Sequence, residues 1–298
     1  KKMQITEIRT DETMRELREH GTAEFPFEYY YDDVHAYDKH YIEWHWHDEF
    51  EWMIVENGVV DCLLSSGKLR LYQGEGLFIN SRMLHRFESE RGAQIPNFLF
   101  SPELIAPAAS AVYQEAIAPF IRAGCPYLHF KKEDGFGSGM LKRISEIVEL
   151  AADASPDKLD IQIAVSCLWR DFLRGLPKEV IIGRAASDML LQARMKLMLQ
   201  FITENYAQEI TLLDIAHSAN ISKSEALRCF HLAIQSTPVN YLIEYRLRWA
   251  RKALLETDDT VTQIATKVGM ENVGYFIRTF KKVYNITPKQ FRKIRKMI

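Results

Sequence analysis

The stretch that decides the fold of the C-terminal part is Thr260–Pro288, TVTQIATKVGMENVGYFIRTFKKVYNITP. It predicts a short helix, a turn at Gly269, a second helix and a stop, which is the order of a helix-turn-helix unit. A related stretch, Thr211–Pro238, precedes it, and the offset from Thr211 to Thr260 is 49 residues. A repeat of about this period predicts two copies of one supersecondary unit.

Local signals mark the ends of these helices. A threonine or serine followed three residues later by an acid or amide predicts a capping box, which satisfies free N–H groups at a helix start. Threonine before proline also marks a start, because proline is tolerated at the first helical position. Asparagine and glycine suit turns that need a positive φ angle. Capping boxes are predicted at Ser222 and Thr260, and a threonine cap followed by an acid in the first turn is predicted at Thr211. Threonine precedes proline at Thr237 and Thr287, and the turn residues are Asn220 and Gly269.

The segment between the two units contains no helix breaker from Pro238 to about Glu256. At 1.5 Å per residue such a helix spans about 28 Å. Successive major grooves on one face of DNA are about 34 Å apart. One stiff helix can therefore hold two recognition helices in adjacent major grooves.

The second helix of each unit has one apolar face and one face suited to DNA. Ala226 with Phe230, and Phe276 with Phe280, are spaced as core pairs. Arginine can bind guanine edges or phosphate, lysine neutralises phosphate, and an aliphatic group can contact a thymine methyl. A merely solvated face is the alternative for any single basic residue. The predicted DNA-binding residues are Ser222, Lys223, Ser224, Leu227, Arg228, Asn272, Gly274, Ile277, Arg278, Lys281 and Lys282.

Charge divides the 298-residue chain into two parts. From residue 186 onward there are 17 Lys and Arg against 10 Asp and Glu, whereas the rest has 21 against 30. This asymmetry predicts that only the C-terminal part meets a polyanion. There is no apolar run long enough for a membrane span and no signal-peptide pattern at the start. The four cysteines form no CxxC motif, so we expect a cytoplasmic protein without a disulfide framework.

Short strands separated by turn signals predict a β domain before the helices. Phe50–Val55 and Val59–Leu64 flank Asn57-Gly58, a pair typical of a hairpin turn. Strands are also predicted at Lys68–Tyr72 and Leu77–Ile79, so a small barrel or jelly roll is expected. Residues 1–20 are predicted to form a polar helix or a tail.

The middle of the chain predicts two amphipathic helices. Apolar residues recur at helical spacing from Leu141 to Ala151 and from Ile161 to Leu173. These stripes could cap the barrel or pair with a second subunit, and we favour pairing. Gly135-x-Gly-x-Gly139 is interpreted as a flexible joint, because no strand precedes it as a nucleotide-binding motif requires.

The last hundred residues resemble the AraC/XylS family of bacterial transcription regulators. The residues that carry the resemblance are Arg246-Leu247, Ala250, Leu254-Leu255, Ile264-Ala265, Gly269-Met270, Tyr275-Phe276, Arg278, Phe280-Lys281-Lys282 and Thr287-Pro288. Family members of this layout have a cupin-like sensor domain, pairing helices and a double helix-turn-helix. The chain departs from the pattern at Gln235 and Asn285, where the family prefers glycine. It departs also at Leu227 and Ile277, where polar base-reading residues are common.

The N-terminal part resembles a cupin. His45-x-His47-x3-Glu51-x6-Gly58 has the spacing of the first cupin motif, and Gly74 to His85 resembles the second without its usual proline. In metal cupins the matching positions would be His45, His47, Glu51 and His85, a set suited to Fe, Mn, Ni or Zn. The alternative is that these residues pack inside a barrel used for sensing. We favour sensing, and expect no metal, no cofactor and no catalytic residue.

Together these patterns predict an α+β multidomain protein with a cupin-like β-barrel, following helices and a C-terminal all-α double helix-turn-helix. The expected domains are 1–182, with the barrel at about 22–100 and helices at about 102–175, and 183–298. The predicted function is a ligand-responsive transcription regulator that binds double-stranded DNA as a homodimer. An activator is expected, with a repressor as the alternative. The effector is expected to be a sugar or other small metabolite, and RNA polymerase a further partner. The alternative is a cupin metalloenzyme. The predicted effector-binding residues are Tyr30, Trp44, His45, Trp46, His47, Glu51 and His85.

Overall fold

A computed structural model describes residues 7–11, 14–37, 41–64, 67–176, 185–234 and 236–295. The chain divides into two compact units, Lys1–Ala193 and Arg194–Ile298. The first is built on an antiparallel sheet and the second is helical, which confirms the predicted fold class. The expected domain boundary between residues 182 and 183 lies outside the described residues. In the described part of the chain, no helix is both long and apolar enough to cross a membrane.

Nine strands form the sheet of the first unit in the described residues. They are β1 (Phe27–Asp33), β2 (Tyr41–His45), β3 (Phe50–Ile54), β4 (Asn57–Leu64), β5 (Gly67–Tyr72), β6 (Gly76–Ile79), β7 (His85–Glu88), β8 (Ala93–Phe100) and β9 (Tyr127–Phe130). The order is β2-β7-β4-β8-β3-β6-β9, with β1 paired to β8 and β5 to β4. The strands predicted at residues 68–72 and 77–79 are therefore confirmed.

The hairpin predicted at Asn57-Gly58 is wrong. Strand β4 begins at Asn57 and pairs there with β8, whereas β3 pairs with β6 and β8. Gly58 has a φ of 85°, and a Cβ atom built on it would lie 2.3 Å from the carbonyl oxygen of Gly92. Gly58 is therefore required because the backbone at Gly92 approaches it closely. In the sequence, this requirement gives the same Asn-Gly pattern as a two-residue hairpin turn.

The N-terminal segment, residues 14–20, packs on the sheet instead of forming a helix or a tail. Glu16 forms an isolated backbone β-bridge with Thr10, and Arg15 forms one with Trp46. The Met14 side chain is buried, and its backbone has a positive φ angle. For residues 7–11 and 14–20 the prediction of a polar helix or tail is wrong, because the burial of this segment depends on contacts with residues about thirty positions away. Residues 1–6, 12 and 13, to which the prediction also applied, lie outside the described residues.

Among the described residues of the first unit, four α-helices accompany the sheet. They are α1 (Ala111–Ala116), α2 (Ala118–Ala123), α3 (Gly135–Ala151) and α4 (Lys158–Gly175). The flexible joint predicted at residues 135–139 is wrong, because these glycines form the first turn of α3, which Asp134 caps through the N–H groups of Phe136 and Gly137. Gly137 is needed there, since an added Cβ would lie 2.5 Å from the carbonyl oxygen of Lys131.

The apolar stripes of α3 and α4 face the sheet. They join one core with large aromatic side chains of β3 and β6, among them Trp52 and Phe78. Leu141 and Leu168, one on each stripe, are both buried within the single chain. The interpretation of these stripes as subunit-pairing surfaces is therefore wrong. Helical periodicity shows that one face is buried, but it carries no information about what covers that face.

The remaining helices follow in order. They are α5 (Ala185–Asn205), α6 (Leu212–Ser218), α7 (Lys223–Ile234), α8 (Pro238–Glu256), α9 (Val261–Lys267), α10 (Val273–Tyr284) and α11 (Pro288–Arg295). Helix α8 is unbroken over 19 residues, as predicted. Its Leu247 and Leu254 share a core with Phe276 and Phe280 of α10, so the connecting helix is anchored to the second helix-turn-helix unit.

The predicted caps and turns in this part are largely confirmed. Thr211 and Thr260 each form a reciprocal capping box, with Asp214 and Gln263. Thr237 and Thr287 cap α8 and α11 by accepting from the N–H groups of Asn240 and Gln290. The φ angles of Asn220, Gly269 and Asn285 are 52°, 75° and 60°. Gln235 lies outside the described residues.

Replacing Leu168 by alanine tests whether the α4 stripe is part of the core. We expect a loss of about 2–5 kcal/mol in the free energy of unfolding, because the buried side chain would leave a cavity. Val112→Ala on α1 is the control, since Val112 is 55% exposed and its loss should cost less than about 0.5 kcal/mol. Urea denaturation followed by circular dichroism measures both, and equal effects would contradict the packing described.

Candidate functional site

Two surfaces of the chain carry candidate functional residues, and the first is the exposed face of α7 and α10. Ser222 caps α7 by accepting from the N–H group of Glu225. Its outer face is exposed at every predicted DNA-binding position: Ser222, Lys223, Ser224, Leu227 and Arg228. The opposite face is buried through Ala226 and Phe230, which confirms that pair as core.

Helix α10 presents a similar face. Asn272 caps it by accepting from the N–H group of Tyr275. The positions exposed to solvent are Asn272, Gly274, Arg278, Lys281 and Lys282. Ile277 is half-buried and packs against the core around Phe276, so it is a weaker candidate for DNA contact than the sequence suggested. Tyr275 is 42% exposed, and it was not among the DNA-binding residues predicted from the sequence.

Arg228 is held by an acidic neighbour. Its Nε and Nη2 atoms donate to the Glu225 carboxylate at 2.8 and 2.7 Å. Arg194 also donates to Glu225, at 2.6 Å. The arginine side chains lower the pKa of Glu225, chiefly through the hydrogen bond from Arg228. Glu225 therefore carries its negative charge on the face predicted to meet phosphate, and a second cation remains to neutralise it if Arg228 turns to DNA.

The second surface is a small cavity in the first unit. Its free volume is about 30 Å³, which holds roughly two water molecules. The lining side chains are largely polar, and most are buried. They are Ile8, Glu16, His20, Tyr30, Asp32, Tyr37, Ile42, His45, His47, Glu51, Phe87, Ile95, Asn97 and Leu99.

Three histidines converge beside this cavity. One nitrogen each from His45, His47 and His85 lies within 4.8 Å of the others, and all three rings are buried. Their Nδ1 atoms approach the backbone carbonyl oxygens of Glu43, Glu49 and Met83 at 2.7, 3.2 and 2.8 Å. A carbonyl oxygen can only accept, so Nδ1 carries the proton in each ring. The Nε2 atoms are thereby left to the interior, as in histidine ligands oriented by a hydrogen bond on the other nitrogen.

Glu51 faces two of these rings. Its Oε2 atom lies 3.3 Å from Nε2 of His47 and 3.0 Å from Nε2 of His85. The second contact lacks hydrogen-bond geometry, so Nε2 of His85 has no hydrogen-bond partner among the described residues. A lone pair on Nε2 would repel the carboxylate oxygen. Either a proton or a cation between the atoms removes this repulsion.

The cluster perturbs several pKa values. Burial, with the neighbouring His85, lowers the pKa of His45 to about 3. Burial also acts to lower the pKa of His47, but the hydrogen bond and negative charge of Glu51 raise it above its usual value. Burial opposes ionisation of Glu51, yet the histidines hold its pKa well below the usual range. The cluster thus combines an ionised carboxylate with at least one neutral imidazole.

The N-terminal segment contributes two further groups. Nε2 of His20 lies 3.3 Å from a Glu16 oxygen, and the His20 and His47 rings are 5.4 Å apart. Nδ1 of His20 is hydrogen-bonded to the Tyr30 hydroxyl at 2.8 Å. Burial opposes ionisation of Glu16, but the neighbouring His20, with His45 and His47, lowers its pKa. Sequence reasoning missed both residues, because no periodic pattern placed residues 14–20 at the barrel.

A further buried acid, Asp32, also lines the cavity. Asp32 accepts from the Tyr37 hydroxyl at 2.7 Å and from Nδ2 of Asn97 at 2.8 Å. Burial raises the pKa of Asp32 to about 6 despite these hydrogen bonds. Asp32 lies on β1 two residues after Tyr30, so the two side chains point to the same face of the strand. That alternation was the available signal for Asp32, although nothing in the sequence marked the strand as a cavity wall.

The structure brings together some of the predicted effector-binding residues and separates others. Tyr30, His45, His47 and Glu51 line the cavity, and His85 completes the histidine cluster. Trp44 is buried and Trp46 stacks near Arg15, and neither is among the described residues that line the cavity. Because His45 and Trp44 are neighbours on one strand, their side chains point to opposite faces.

The donor set fits a metal ion. Three imidazole nitrogens and one carboxylate can bind Zn²⁺, Ni²⁺, Fe²⁺ or Mn²⁺. The Nδ1–H groups are anchored to carbonyls, and one buried Nε2 has no partner among the described atoms. The residues that could hold an ion are therefore His45, His47, His85 and Glu51.

Comparisons with known proteins cover both units. A family model described as an AraC-like ligand binding domain matches residues 30–158, and one described as a helix-turn-helix domain matches residues 215–294. The HTH-type transcriptional regulator YdeC of Bacillus subtilis (strain 168) is 29% identical over 295 residues, 95% of this chain and 97% of that relative. The similarity therefore spans both units of the chain.

Two further relatives are similar to this chain. The HTH-type transcriptional activator RhaS of Pectobacterium carotovorum subsp. carotovorum (strain PC1) is 24% identical over 257 residues, 83% of this chain and 86% of that protein. The melibiose operon regulatory protein of Escherichia coli (strain K12) is 33% identical over 97 residues, 33% of this chain and 32% of its own length. The relatives are thus named as transcription regulators.

Replacing Glu225 by glutamine tests the role of the Arg228 contact. We expect tighter nonspecific DNA binding, by roughly two- to tenfold at low salt, because one negative charge is removed and Arg228 is freed for phosphate. Fluorescence anisotropy with a labelled duplex over a salt series measures this. Glu209→Gln, an exposed acid in the same unit outside the helices, controls for net charge. An effect no larger than that of the control would contradict a specific role for Glu225.

Proposed function

The chain belongs to the AraC family of transcription regulators, and on that premise we propose that α7 and α10 are its two DNA-reading helices and that the N-terminal cavity binds its effector. The observation that carries the proposal is the pair of capped helix-turn-helix units joined by α8, an unbroken helix of 19 residues. At about 28 Å this helix suits adjacent major grooves, which are about 34 Å apart.

Each proposed DNA contact follows from the chemistry of an exposed side chain. Arg278 is suited to a guanine edge, because its guanidinium can donate two parallel hydrogen bonds. Gly274 lies beside it, and an added Cβ there would be 3.4 Å from Oδ1 of Asn272 and 3.5 Å from Nη1 of Arg278, which is ordinary van der Waals contact. Lys281 and Lys282 suit phosphate, and Leu227 suits a thymine methyl group. Ser222, Lys223, Ser224 and Asn272 supply further polar contacts at the helix starts.

The effector is proposed to be a small polar ligand. The cavity is lined by carboxylates, imidazoles, an amide and phenols, which suits a ligand with several polar groups. A free volume of about 30 Å³ is too small for a sugar in this conformation. A sugar or other small metabolite, as expected from the sequence, would require the segment at residues 14–20 to move. This requirement supports the segment as the part of the sensor that responds to ligand.

A homodimer is proposed through the outer face of α4. Leu159 and Ile163 are 64% and 53% exposed and stand one helical turn apart. Large apolar side chains in such a row are unfavourable in water unless another surface covers them. A second copy of the chain presents the same row and makes a symmetric contact. The inner stripes of α3 and α4 are unsuited to this role, because the sheet already covers them.

Regulation is favoured over the metalloenzyme alternative. The full-length relatives carry the names of transcription regulators, which supports a chain that binds its ligand without converting it. We propose action in the cytoplasm, where the DNA is, and contact with RNA polymerase as an activator. The four cysteines are free thiols, in keeping with a reducing compartment.

Arg278→Ala tests the assignment of α10. If Arg278 reads a base, specific binding weakens by about 1–3 kcal/mol while nonspecific binding changes little. Electrophoretic mobility shifts with upstream DNA of the chain's own locus, and with a scrambled duplex, separate the two. Lys142→Ala, an exposed residue of the first unit, is the control. An equal loss on both duplexes would assign Arg278 to phosphate, and no loss on either would remove it from the interface.

Ile163→Asp tests the proposed dimer surface. The charged side chain would be desolvated between two copies, so we expect dissociation into monomers with an unchanged circular dichroism spectrum. Sedimentation equilibrium measures the mass. Val112→Asp, which changes another exposed apolar residue, should leave the dimer intact. A dimer that survives Ile163→Asp would place the pairing surface elsewhere.

A further inference from the structure

The guanidinium of Arg228 is held along one edge and open along another. Its Nε and Nη2 atoms donate to the two carboxylate oxygens of Glu225 at 2.8 and 2.7 Å. This pairing uses the side of the planar group that carries Nε–H, and it leaves the N–H groups at the far end, on Nη1 and Nη2, as donors. A guanine presents two acceptors in the major groove, O6 and N7, which match that end edge. Arg228 can therefore meet a guanine without leaving Glu225.

The exposure of the two side chains agrees with this division of the guanidinium. The Arg228 side chain is 58% exposed, whereas the Glu225 side chain is 26% exposed. Leu227, which precedes Arg228, is also exposed, and Ala226 on the other side of the helix is buried. The arginine is thus the member of the pair that a DNA base can reach.

Glu225 is itself held from a second helix. Nη1 of Arg194, on α5, donates to its Oε1 atom at 2.6 Å, and the Arg194 side chain is 25% exposed. The buried thiol of Cys229 lies 3.9 Å from the same oxygen. The hydrogen bond from Arg228, with the positive charges of both arginines, keeps the pKa of Glu225 below its usual value. The carboxylate therefore stays ionised at neutral pH, and Arg194 offsets its repulsion of DNA phosphate.

The second helix-turn-helix unit has a different residue at the position of Glu225. An offset of 50 residues relates Arg228 to Arg278, and the same offset relates Glu225 to Tyr275. A tyrosine is neutral near pH 7 and cannot form an ion pair with an arginine. Holding the arginine by an acid one turn earlier is therefore a property of α7 that α10 does not share.

Holding an arginine in place favours base contact over phosphate contact. A long side chain loses rotamer freedom when it binds, and this loss weakens the interaction. An arginine that is already fixed by a carboxylate loses less of that freedom. Paired hydrogen bonds to a guanine require one orientation of the guanidinium, whereas a phosphate accepts many. A fixed Arg228 thus gains more for a guanine than for phosphate.

We propose that Glu225 and Arg194 are positioning residues for DNA recognition: Arg194 holds Glu225, and Glu225 holds Arg228 in the orientation in which its outer edge binds a guanine. This inference rests on the proposed function, because it takes α7 as a DNA-reading helix and names the base that the helix reads. Glu225 then sets the specificity of the site although it touches no base itself.

Selection of duplexes from a randomised DNA pool, followed by sequencing, tests the assignment on the full chain. For the unaltered chain we expect one position with a guanine preference that disappears in Arg228→Ala. The preference at that position should weaken in Glu225→Gln and in Arg194→Ala, while preferences elsewhere in the site are retained. Arg278→Ala should change a different position. Full retention of the guanine preference in Glu225→Gln would overturn the positioning role, and so would an equal weakening at all positions.

Fluorescence anisotropy measures the discrimination on two duplexes that differ only at this base pair, G·C against A·T. The unaltered chain should prefer G·C by roughly ten- to a hundredfold, and Glu225→Gln or Arg194→Ala should reduce this ratio about three- to tenfold. Arg194→Lys should retain the ratio, because lysine also donates to a carboxylate and keeps the charge. Arg174→Ala, an exposed arginine of α4 in the first unit, should leave it unchanged. An equal loss of affinity for both duplexes would assign Arg228 to phosphate and overturn the inference.

The positioning role and the proposed function fail in different ways. If the unaltered chain enriches no sequence and binds no duplex, the proposed function is overturned and the inference with it. If the chain enriches a sequence whose guanine preferences are the same in Arg228→Ala and Glu225→Gln, only the positioning role is overturned, and DNA recognition by the chain stays supported.

Discussion

The structure depends on the length and continuity of one helix. Helix α8 runs for 19 residues from Pro238 to Glu256, and its apolar face is anchored in the core of the second helix-turn-helix unit. A stiff helix fixes the distance between what it joins, whereas a loop of the same length would not. The repeated helix-turn-helix unit depends on this constraint. Two helices that are proposed to read DNA can act together only if their separation matches that of adjacent major grooves.

In the first unit the corresponding constraint is the burial of charge. Three carboxylates and a group of imidazoles are withdrawn from water around a cavity of about 30 Å³. Such buried groups are tolerated when each has a hydrogen-bond or charge partner. Here most of the partners are other carboxylates and imidazoles of the same cavity. The Nε2 atoms of His20 and His85 are the exceptions in the described residues. A cavity with unsatisfied hydrogen-bonding atoms is suited to sensing. A ligand that binds these atoms changes the stability of the segment at residues 14–20 around them.

Local signals predicted one unit much better than the other. In the helical unit the capping residues, the positive-φ positions at Asn220 and Gly269 and the length of α8 are as expected, because helix ends are decided by neighbours three or four residues away. In the β unit the Asn57-Gly58 signal misled, since Gly58 is required by its close contact with Gly92, which directly precedes the distant strand β8. The prediction that Trp44 and Trp46 bind the effector was misleading as well. Alternation along a strand shows which side chains share a face, but it does not show which face encloses a cavity.

The sequence by itself determined the class of each unit, the double helix-turn-helix and most of the residues exposed on the outer faces of α7 and α10. It also marked His45, His47, Glu51 and His85 as a set. Only the tertiary structure decided that the stripes of α3 and α4 cover the sheet, that residues 14–20 pack on the barrel, and that Glu16, His20 and Asp32 join the cavity. The physical reason is that burial depends on contacts between residues far apart in the chain. Periodicity and capping report only on the nearest turns.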